Sequence, residues 1–199
     1  MSKIEFWFSI GSTYTYLSTQ RLKALEKEKN VEFEWFPFSV RARMVEMENI
    51  PFMAEKKKQK IDYMWRDVER RANFYGFDAN VPAPYPLKEF DLANQVAILG
   101  KKEGWIKDYT ILTYKKWFLE HQEPGSEPNL SKTLMEIGLD PEEIIKLAKL
   151  SDIVNEYEKN TKMAKNKGIF GSPSFIVNKE VFWGDDRCED SIKWLFKNS

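Results

Sequence analysis

Apolar side chains run almost without interruption through the first segment of the chain and then change their spacing. Residues 4–10 carry the bulky side chains of a buried strand. Between Tyr14 and Leu25 the apolar residues recur near helical spacing, which predicts a helix. A Gly-Ser-Thr corner separates the two patterns, so the strand is predicted to give way to the helix at Ser12.

The middle of the chain combines one further strand with a long helical region. Residues 31–38 alternate apolar and polar side chains before becoming wholly apolar, which predicts a second strand with Pro37 near its end or on a sheet edge. Residues 41–50 are predicted to be irregular to helical. The segment from 51 to about 150 has helical periodicity and little strand signal. Its predicted helices are residues 56–75, 90–103, 106–120, 130–137 and one beginning at Asp140-Pro141, followed by a helix over 151–167.

The pattern changes again near the end of the chain. Residues 175–177 and 180–183 flank Asn178-Lys179, which predicts a tight antiparallel hairpin, and a short helix over 188–196 follows. This order of elements predicts an α/β protein with a thioredoxin-like domain and a large all-helical insertion. The predicted boundaries are residues 1–40 and 151–199 for the discontinuous thioredoxin-like domain and 41–150 for the insertion.

Charge and composition narrow the possible partners. The 31 basic and 31 acidic residues cancel, which argues against nucleic acid or an anionic membrane surface as a partner. The N-terminal residues lack a cleavage pattern, and no apolar run approaches the length of a membrane span. We therefore expect a soluble, cytoplasmic protein.

The cysteine and histidine content limits the chemistry. Cys188 is the only cysteine, which excludes an internal disulfide, a CxxC redox pair and a thiolate metal cluster, so we predict no metal site. Any thiol chemistry requires a sulfur from another molecule. His121 is the only histidine and precedes Gln-Glu-Pro-Gly, which is typical of a surface loop.

Ser12 has two interpretations at its strand-helix corner. The first backbone N–H groups of a helix lack internal partners and attract anions, so Ser12 could lie beside a bound anion. Alternatively, its hydroxyl could simply cap the helix.

Two later corners are predicted to form one site with Ser12 in a thioredoxin-like arrangement. The second corner is the loop Gly171-Ser172-Pro173 before the third strand, and the third corner is the segment 183–187 before the last helix. We predict a cis bond between Ser172 and Pro173, with an ordinary trans turn as the alternative. A loop of this kind can offer the backbone N–H and C=O of Ser172 to an extended peptide. At the third corner, Asp186 and Glu189 could form a reciprocal cap, or the acid and the helix N-terminus could hold an α-amino and α-carboxylate pair. A tripeptide thiol would fit all three corners.

Three segments carry a resemblance to a known family. FWFSIGSTYTYL, GIFGSPSF and VFWGDDR, in this order and spacing, resemble 2-hydroxychromene-2-carboxylate isomerases and kappa-class glutathione transferases, and the resemblance covers nearly the whole chain. It implies a thioredoxin-like domain of the DsbA type, glutathione as cofactor and a homodimer. It also implies that Ser12 lies against the glutathione sulfur.

The same resemblance suggests further ligand positions and two departures. Asn49 resembles the Asn of an Asn-x-Pro ligand motif, and Lys60 resembles a lysine that reaches the glycyl carboxylate. Thr13 replaces the usual proline. Asp185 stands where the families carry Ser, Asn or Gln, so it is expected to add negative charge near the glutamyl carboxylate, while Asp186 corresponds to the ligand of the amino group.

The leading hypothesis is a glutathione-dependent isomerase whose small-molecule substrate is a conjugated 2-oxo acid from aromatic degradation. A kappa-type transferase or peroxidase and a non-catalytic glutathione- or peptide-binding module are the alternatives. The absence of a CxxC pair argues against a DsbA-type dithiol oxidoreductase, which the fold alone would suggest. Trp7, Tyr14 and Trp35 could line the acceptor site, although the pattern favours the core for most of these aromatic residues.

Overall fold

A computed structural model describes residues 2–49 and 57–197 and contains one four-stranded sheet. The strands are β1 (Ser2–Phe8), β2 (Val31–Pro37), β3 (Ser174–Val177) and β4 (Glu180–Trp183). The described helices are α1 (Thr15–Lys29), α2 (Val40–Glu46), α3 (Lys58–Tyr75), α4 (Phe90–Glu103), α5 (Ile106–Glu120), α6 (Asn129–Glu136), α7 (Pro141–Ala148), α8 (Ser151–Asn166) and α9 (Cys188–Lys197), with a 3-10 turn over Asp185–Arg187. The sheet order is β2-β1-β3-β4, in which β1 is parallel to β2 and β3 is antiparallel to both of its neighbours. This is the predicted thioredoxin-like topology.

The central strand β1 is apolar throughout because both faces of the sheet are covered. Phe6 and Phe8 pack into the larger core together with α1 and the helical region, whereas Trp7 packs into a second cluster with Phe38 and Ile176 on the opposite face. The predicted buried strand is confirmed. It ends at Phe8 rather than at residue 10, because the chain turns at that point into the first corner.

Two local predictions are confirmed by backbone geometry. Asn178 and Lys179 have φ angles of 51° and 73°, the left-handed pair required by a tight hairpin whose twist matches the strands. Asp140 caps α7, because its carboxylate accepts from the backbone N–H of Glu142 at 2.9 Å and Pro141 occupies the first turn.

The helical region shares its interior with the thioredoxin-like part. Helix α5 packs on α1, where the rings of Tyr16 and Phe118 stack at 4.2 Å, and α4 packs on β2. One core cluster therefore extends across residues 40 and 150. The division of the chain into two domains at these residues remains a prediction.

The segment predicted as irregular to helical forms α2 over its first part. The end of that segment and the Ile50-Pro51 part of the Asn-x-Pro motif lie outside the described residues. Within residues 2–49 and 57–197, no helix is both long enough and apolar enough to cross a membrane.

Candidate functional site

The first corner follows β1 and is a tight turn. The backbone N–H of Ser12 donates to the Ser9 carbonyl at 3.0 Å, and Gly11 has a φ of 127°. A Cβ atom at Gly11 would lie 2.1 Å from Cε2 of Phe90. Glycine is therefore required here both by the backbone angle and by the close approach of Phe90 from α4.

The helical region braces this corner through two buried polar side chains. Asn94 accepts from the backbone N–H of Ile10 at 2.8 Å and donates to the carbonyl of the same residue at 2.9 Å. The Tyr114 hydroxyl lies 3.0 Å from both the Ser9 and the Ser12 carbonyl oxygens, to which it donates. Burial raises the pKa of Tyr114, so the phenol stays a neutral donor. The sequence reasoning missed both residues, and their only signal was a polar group on the apolar face of a predicted helix.

The second corner is bonded directly to the first. The Ser172–Pro173 peptide is cis, as predicted. The Ser172 hydroxyl accepts from the backbone N–H of Ser9 at 2.9 Å and lies 2.8 Å from the Thr15 hydroxyl. The Ser12 hydroxyl donates to the Ser172 carbonyl oxygen at 2.6 Å. These hydrogen bonds hold the Ser12 and Ser172 loops directly against each other.

The interpretation of Ser12 as a helix cap is wrong. Helix α1 begins at Thr15, its N-cap position is Tyr14, and no side chain caps it. Thr13 and Tyr14 separate Ser12 from the first residue of the helix, and the Ser12 hydroxyl hydrogen is directed at Ser172 instead.

The third corner joins the second through the backbone. The N–H of Gly184, directly after β4, donates to the Pro173 carbonyl at 3.0 Å. Pro173 is buried, so it is in place to hold this loop against the sheet. The three corners predicted from sequence are therefore contiguous in the fold.

Asp185 at this corner is buried, with an exposed fraction of 1%, and lies among donors from α1 and α3. Its carboxylate accepts from Arg71 at 2.6 and 3.0 Å and from the Tyr75 hydroxyl at 3.1 Å. From α1, Ser18 donates at 3.2 Å and Arg21 at 3.4 Å. None of these partners was identified from the sequence.

The charges around Asp185 are balanced within the cluster. Arg21 also pairs with Glu189 and lies over the Tyr75 ring, 3.6 Å from its centroid. Two arginines therefore oppose Asp185 and Glu189. The negative charge expected from Asp185 is present, but Arg71 and Arg21 neutralise it locally. Burial, and after it the charge of Asp185, raises the pKa of Tyr75 to about 12.

Two opposing effects act on the pKa of the Arg71 guanidinium. Burial lowers the pKa of its guanidinium, whereas the hydrogen bond and the charge of Asp185 raise it, and the balance is a raised pKa. The positive charge of Arg71 is thus fixed beside Asp185.

Asp186 differs from its neighbour in exposure. Its side chain is 51% exposed and accepts from Arg187 at 3.0 Å. Glu189 pairs with Arg21, so the reciprocal cap with Asp186 is not found among the described hydrogen bonds. The Asp186 carboxylate is accessible from solvent, as a ligand for an amino group must be.

Asn49 and Lys60 are not joined to the three corners. Asn49 is exposed just after α2, and Lys60 is exposed in the first turn of α3. In the part of the chain that the structure describes, neither residue is hydrogen-bonded or ion-paired to Ser12, Ser172 or Asp186. Their predicted roles remain predictions.

The remaining candidate residues have clear positions. Cys188 is buried, and burial raises the pKa of its thiol to about 12, so it is not a source of thiolate. His121 is exposed at the end of α5, as predicted. Trp7 and Trp35 lie in the core, at 0% and 2% exposure, which confirms the core interpretation for both. Tyr14 is half-buried and donates to Asp67 at 3.0 Å.

Comparison with known proteins supports this fold. A family model for the DSBA-like thioredoxin domain matches residues 3–193. The chain is 23% identical to a 2-hydroxychromene-2-carboxylate isomerase from Sphingobium xenophagum, covering 94% of each protein. It is 21% identical to glutathione S-transferase kappa 1 from Caenorhabditis elegans, covering 94% of this chain and 88% of that protein.

Solved structures give the same result at the level of the fold. A structure of 2-hydroxychromene-2-carboxylate isomerase matches with a TM-score of 0.85 at 22% identity, over 98% of this chain and 97% of that one. The cytosolic disulfide reductase DsbM from Pseudomonas aeruginosa, in a structure with GSH, matches with a TM-score of 0.67 at 13% identity, over 98% of both chains.

Proposed function

Since the chain belongs to the family of DSBA-like thioredoxin domains, we propose that it is a glutathione-dependent isomerase of a conjugated 2-oxo acid. The observation that carries this proposal is the hydroxyl of Ser12, which lies 2.6 Å from the Ser172 carbonyl oxygen at the meeting point of the corners. Cys188, the only cysteine, is buried. The reacting sulfur must therefore come from a bound thiol.

Glutathione matches the chemistry of the three corners. Its cysteinyl backbone would pair with the N–H and C=O of Ser172, and its α-amino group would pair with the exposed carboxylate of Asp186. Its sulfur would then lie at Ser12 and the N-terminus of α1. Asp185 would orient the corner through Arg71 rather than contact the ligand, since its carboxylate is occupied and buried. On the family resemblance, Lys60 is proposed to reach the glycyl carboxylate, and Asn49 is proposed as a further ligand of glutathione.

The proposed reaction is a reversible addition. The glutathione thiolate forms a C–S bond to the conjugated acid, and the electron pair of the attacked double bond moves onto the 2-oxo group. The former double bond then rotates as a single bond. The electron pair returns from the 2-oxo group to re-form the double bond, and the C–S bond breaks with its electron pair leaving on the glutathione thiolate, which is released unchanged. The Ser12 hydroxyl and the N–H groups of α1 favour the thiolate, because both stabilise negative charge.

The test is isomerisation of 2-hydroxychromene-2-carboxylate, followed by absorbance with and without glutathione. We expect the rate to require glutathione, and the glutathione to be recovered unchanged at the end. Turnover at the same rate without glutathione would contradict the proposal.

A kappa-class transferase or peroxidase is the second candidate, because one relative carries that name. The same site would then consume glutathione, so formation of a conjugate or of oxidised glutathione would favour this candidate. Saturable glutathione binding without either activity would favour a non-catalytic binding module.

We also propose that the protein is a cytoplasmic homodimer. Helix α3 carries two largely exposed rings, Phe74 at 85% and Tyr63 at 60%, which suit an interface between copies of the chain. Sedimentation should give about twice the chain mass of 23.6 kDa. A mass of one chain at micromolar concentration would reject the dimer.

A further inference from the structure

The hydrogen bond between Ser12 and Ser172 joins two positioned segments. The backbone of Ser12 is fixed by Tyr114, which donates to its carbonyl, and by the turn bond to Ser9. Ser172 is fixed through its hydroxyl, which bonds to the Ser9 N–H and to Thr15. Only the side-chain torsion of Ser12 remains free to redirect its hydroxyl. The 2.6 Å bond is therefore the adjustable contact of the first two corners.

This bond uses the two groups that the proposed function assigns to the ligand. The Ser172 carbonyl oxygen would accept from the cysteinyl N–H of glutathione. The Ser12 hydroxyl has a single hydrogen, and that hydrogen would donate to the sulfur. While Ser12 donates to Ser172, it has no hydrogen for a thiolate.

The limited access to the Ser172 carbonyl oxygen favours replacement of the Ser12 hydroxyl by the ligand N–H, rather than bonding of both donors at once. A carbonyl has two lone pairs, so two donors could in principle bond to it. However, Ser172 is only 9% exposed, whereas Ser12 is half-buried and lies against the oxygen at 2.6 Å. A ligand N–H that approaches from solvent therefore meets the position held by the Ser12 side chain.

We propose that the Ser12–Ser172 hydrogen bond is a latch, which the cysteinyl N–H of a thiol ligand opens. The N–H takes the Ser172 oxygen, and the released Ser12 hydroxyl rotates to donate to the sulfur. A hydrogen bond to a charged thiolate is stronger than one to a neutral carbonyl, so a thiol ligand recovers more than the lost bond. This inference rests on the proposed function.

The latch predicts that removal of the Ser12 hydroxyl has opposite effects on two matched ligands. A ligand without sulfur bonds to the Ser172 oxygen, but it offers no acceptor to the Ser12 hydroxyl that it displaces. The same ligand meets no latch in Ser12→Ala. A thiol ligand, in contrast, loses the donor to its sulfur. The latch thereby discriminates a thiol from a ligand of equal shape.

The experiment is calorimetry of wild type and Ser12→Ala with two tripeptides at pH 8. One is glutathione, and the other is γ-glutamyl-2-aminobutyrylglycine, which has a methyl group in place of the thiol. We expect Ser12→Ala to bind the methyl tripeptide about two- to tenfold more tightly than wild type, the effect of one net hydrogen bond. We expect the same substitution to weaken glutathione binding by a similar factor.

Two further variants keep the test decisive. Ser131→Ala removes an exposed hydroxyl that donates to Glu127 at 2.6 Å on α6, and it should leave both affinities unchanged. Ser12→Gly removes the same hydroxyl without introducing a second thiol beside the glutathione sulfur, so it should move both affinities in the directions of Ser12→Ala, even if the alanine variant folds poorly. Wild type that binds glutathione, together with Ser12 variants that bind both tripeptides equally or more weakly, would overturn the latch alone. Failure of wild type to bind glutathione would overturn the proposed function and the latch together.

Discussion

The two ends of the candidate site differ in the kind of bond that builds them. Around Ser12 and Ser172, neutral hydroxyl and backbone groups form single hydrogen bonds. Around Asp185, a fully buried carboxylate is held by two guanidinium groups and a phenol. A neutral bond contributes only about 1 kcal/mol net, so a ligand can exchange with it. A buried ion pair cannot lose one partner without a much larger cost. The thiol end is therefore suited to exchange, and the charged end is suited to fixed support.

The largest effect is expected from Asp185→Ala, which leaves Arg71 and Arg21 without their buried counter-charge. We expect the free energy of unfolding to fall by about 3–5 kcal/mol, measured by denaturant titration. Asp186→Ala is the matched control, because that exposed pair with Arg187 should contribute about 0–1 kcal/mol. Equal losses for the two neighbours would refute the contrast between a fixed and an exposed acid.

At the thiol end, we expect the largest stability effect from the backbone rather than from a side chain. Gly11→Ala places a Cβ atom against Phe90 in a backbone conformation that L residues rarely adopt, so we expect a loss of about 2–4 kcal/mol from strain and overpacking. Gly76→Ala is the control, because Gly76 also has a positive φ of 84° but has no atom within 4 Å of the added Cβ. It should cost only about 1–2 kcal/mol. If both glycine substitutions cost the same, the contact with Phe90 does not constrain the corner.

Asp186, the exposed acid, should affect the affinity for glutathione rather than the free energy of unfolding. Asp186→Ala is expected to weaken glutathione binding by about 1.5–3 kcal/mol, the contribution of a charge-assisted hydrogen bond to the amino group. Calorimetry should find a smaller loss of affinity for those Asp185→Ala molecules that remain folded. A reversed order would assign the amino group to Asp185 and contradict the support role given to that residue.

The same contrast explains what the sequence could predict. Ser12 and Asp186 follow the ends of β1 and β4, and Ser172 directly precedes β3, so local motifs locate all three. Arg71, Asn94 and Tyr114 reach the site from the helical region, across more than 80 residues of sequence. Apolar periodicity predicts their helices, but it does not reveal which corner a buried polar side chain contacts.

Asp185 shows most clearly what local sequence does not predict. Its sequence neighbours are Gly184 and Asp186, and this local sequence does not distinguish a buried acid from an exposed one. The carboxylate is instead buried against α3, because Arg71 and Tyr75 are placed there by the packing of that helix. Burial of one acid and exposure of the next is decided by tertiary contacts.

Ultraviolet titration of the thiolate in the glutathione complex measures whether Ser12 donates a hydrogen bond to the bound thiolate. The titration would be run on wild type and Ser12→Ala, with the thermal stability of both proteins as the control. Hydrogen bonding to a charged form favours that form, so the bound thiol should have a lower pKa in wild type and a raised pKa in Ser12→Ala. Turnover at neutral pH should fall in parallel. Superimposable titration curves would show that Ser12 does not donate to the thiolate and would leave thiolate stabilisation to the N-terminus of α1 alone.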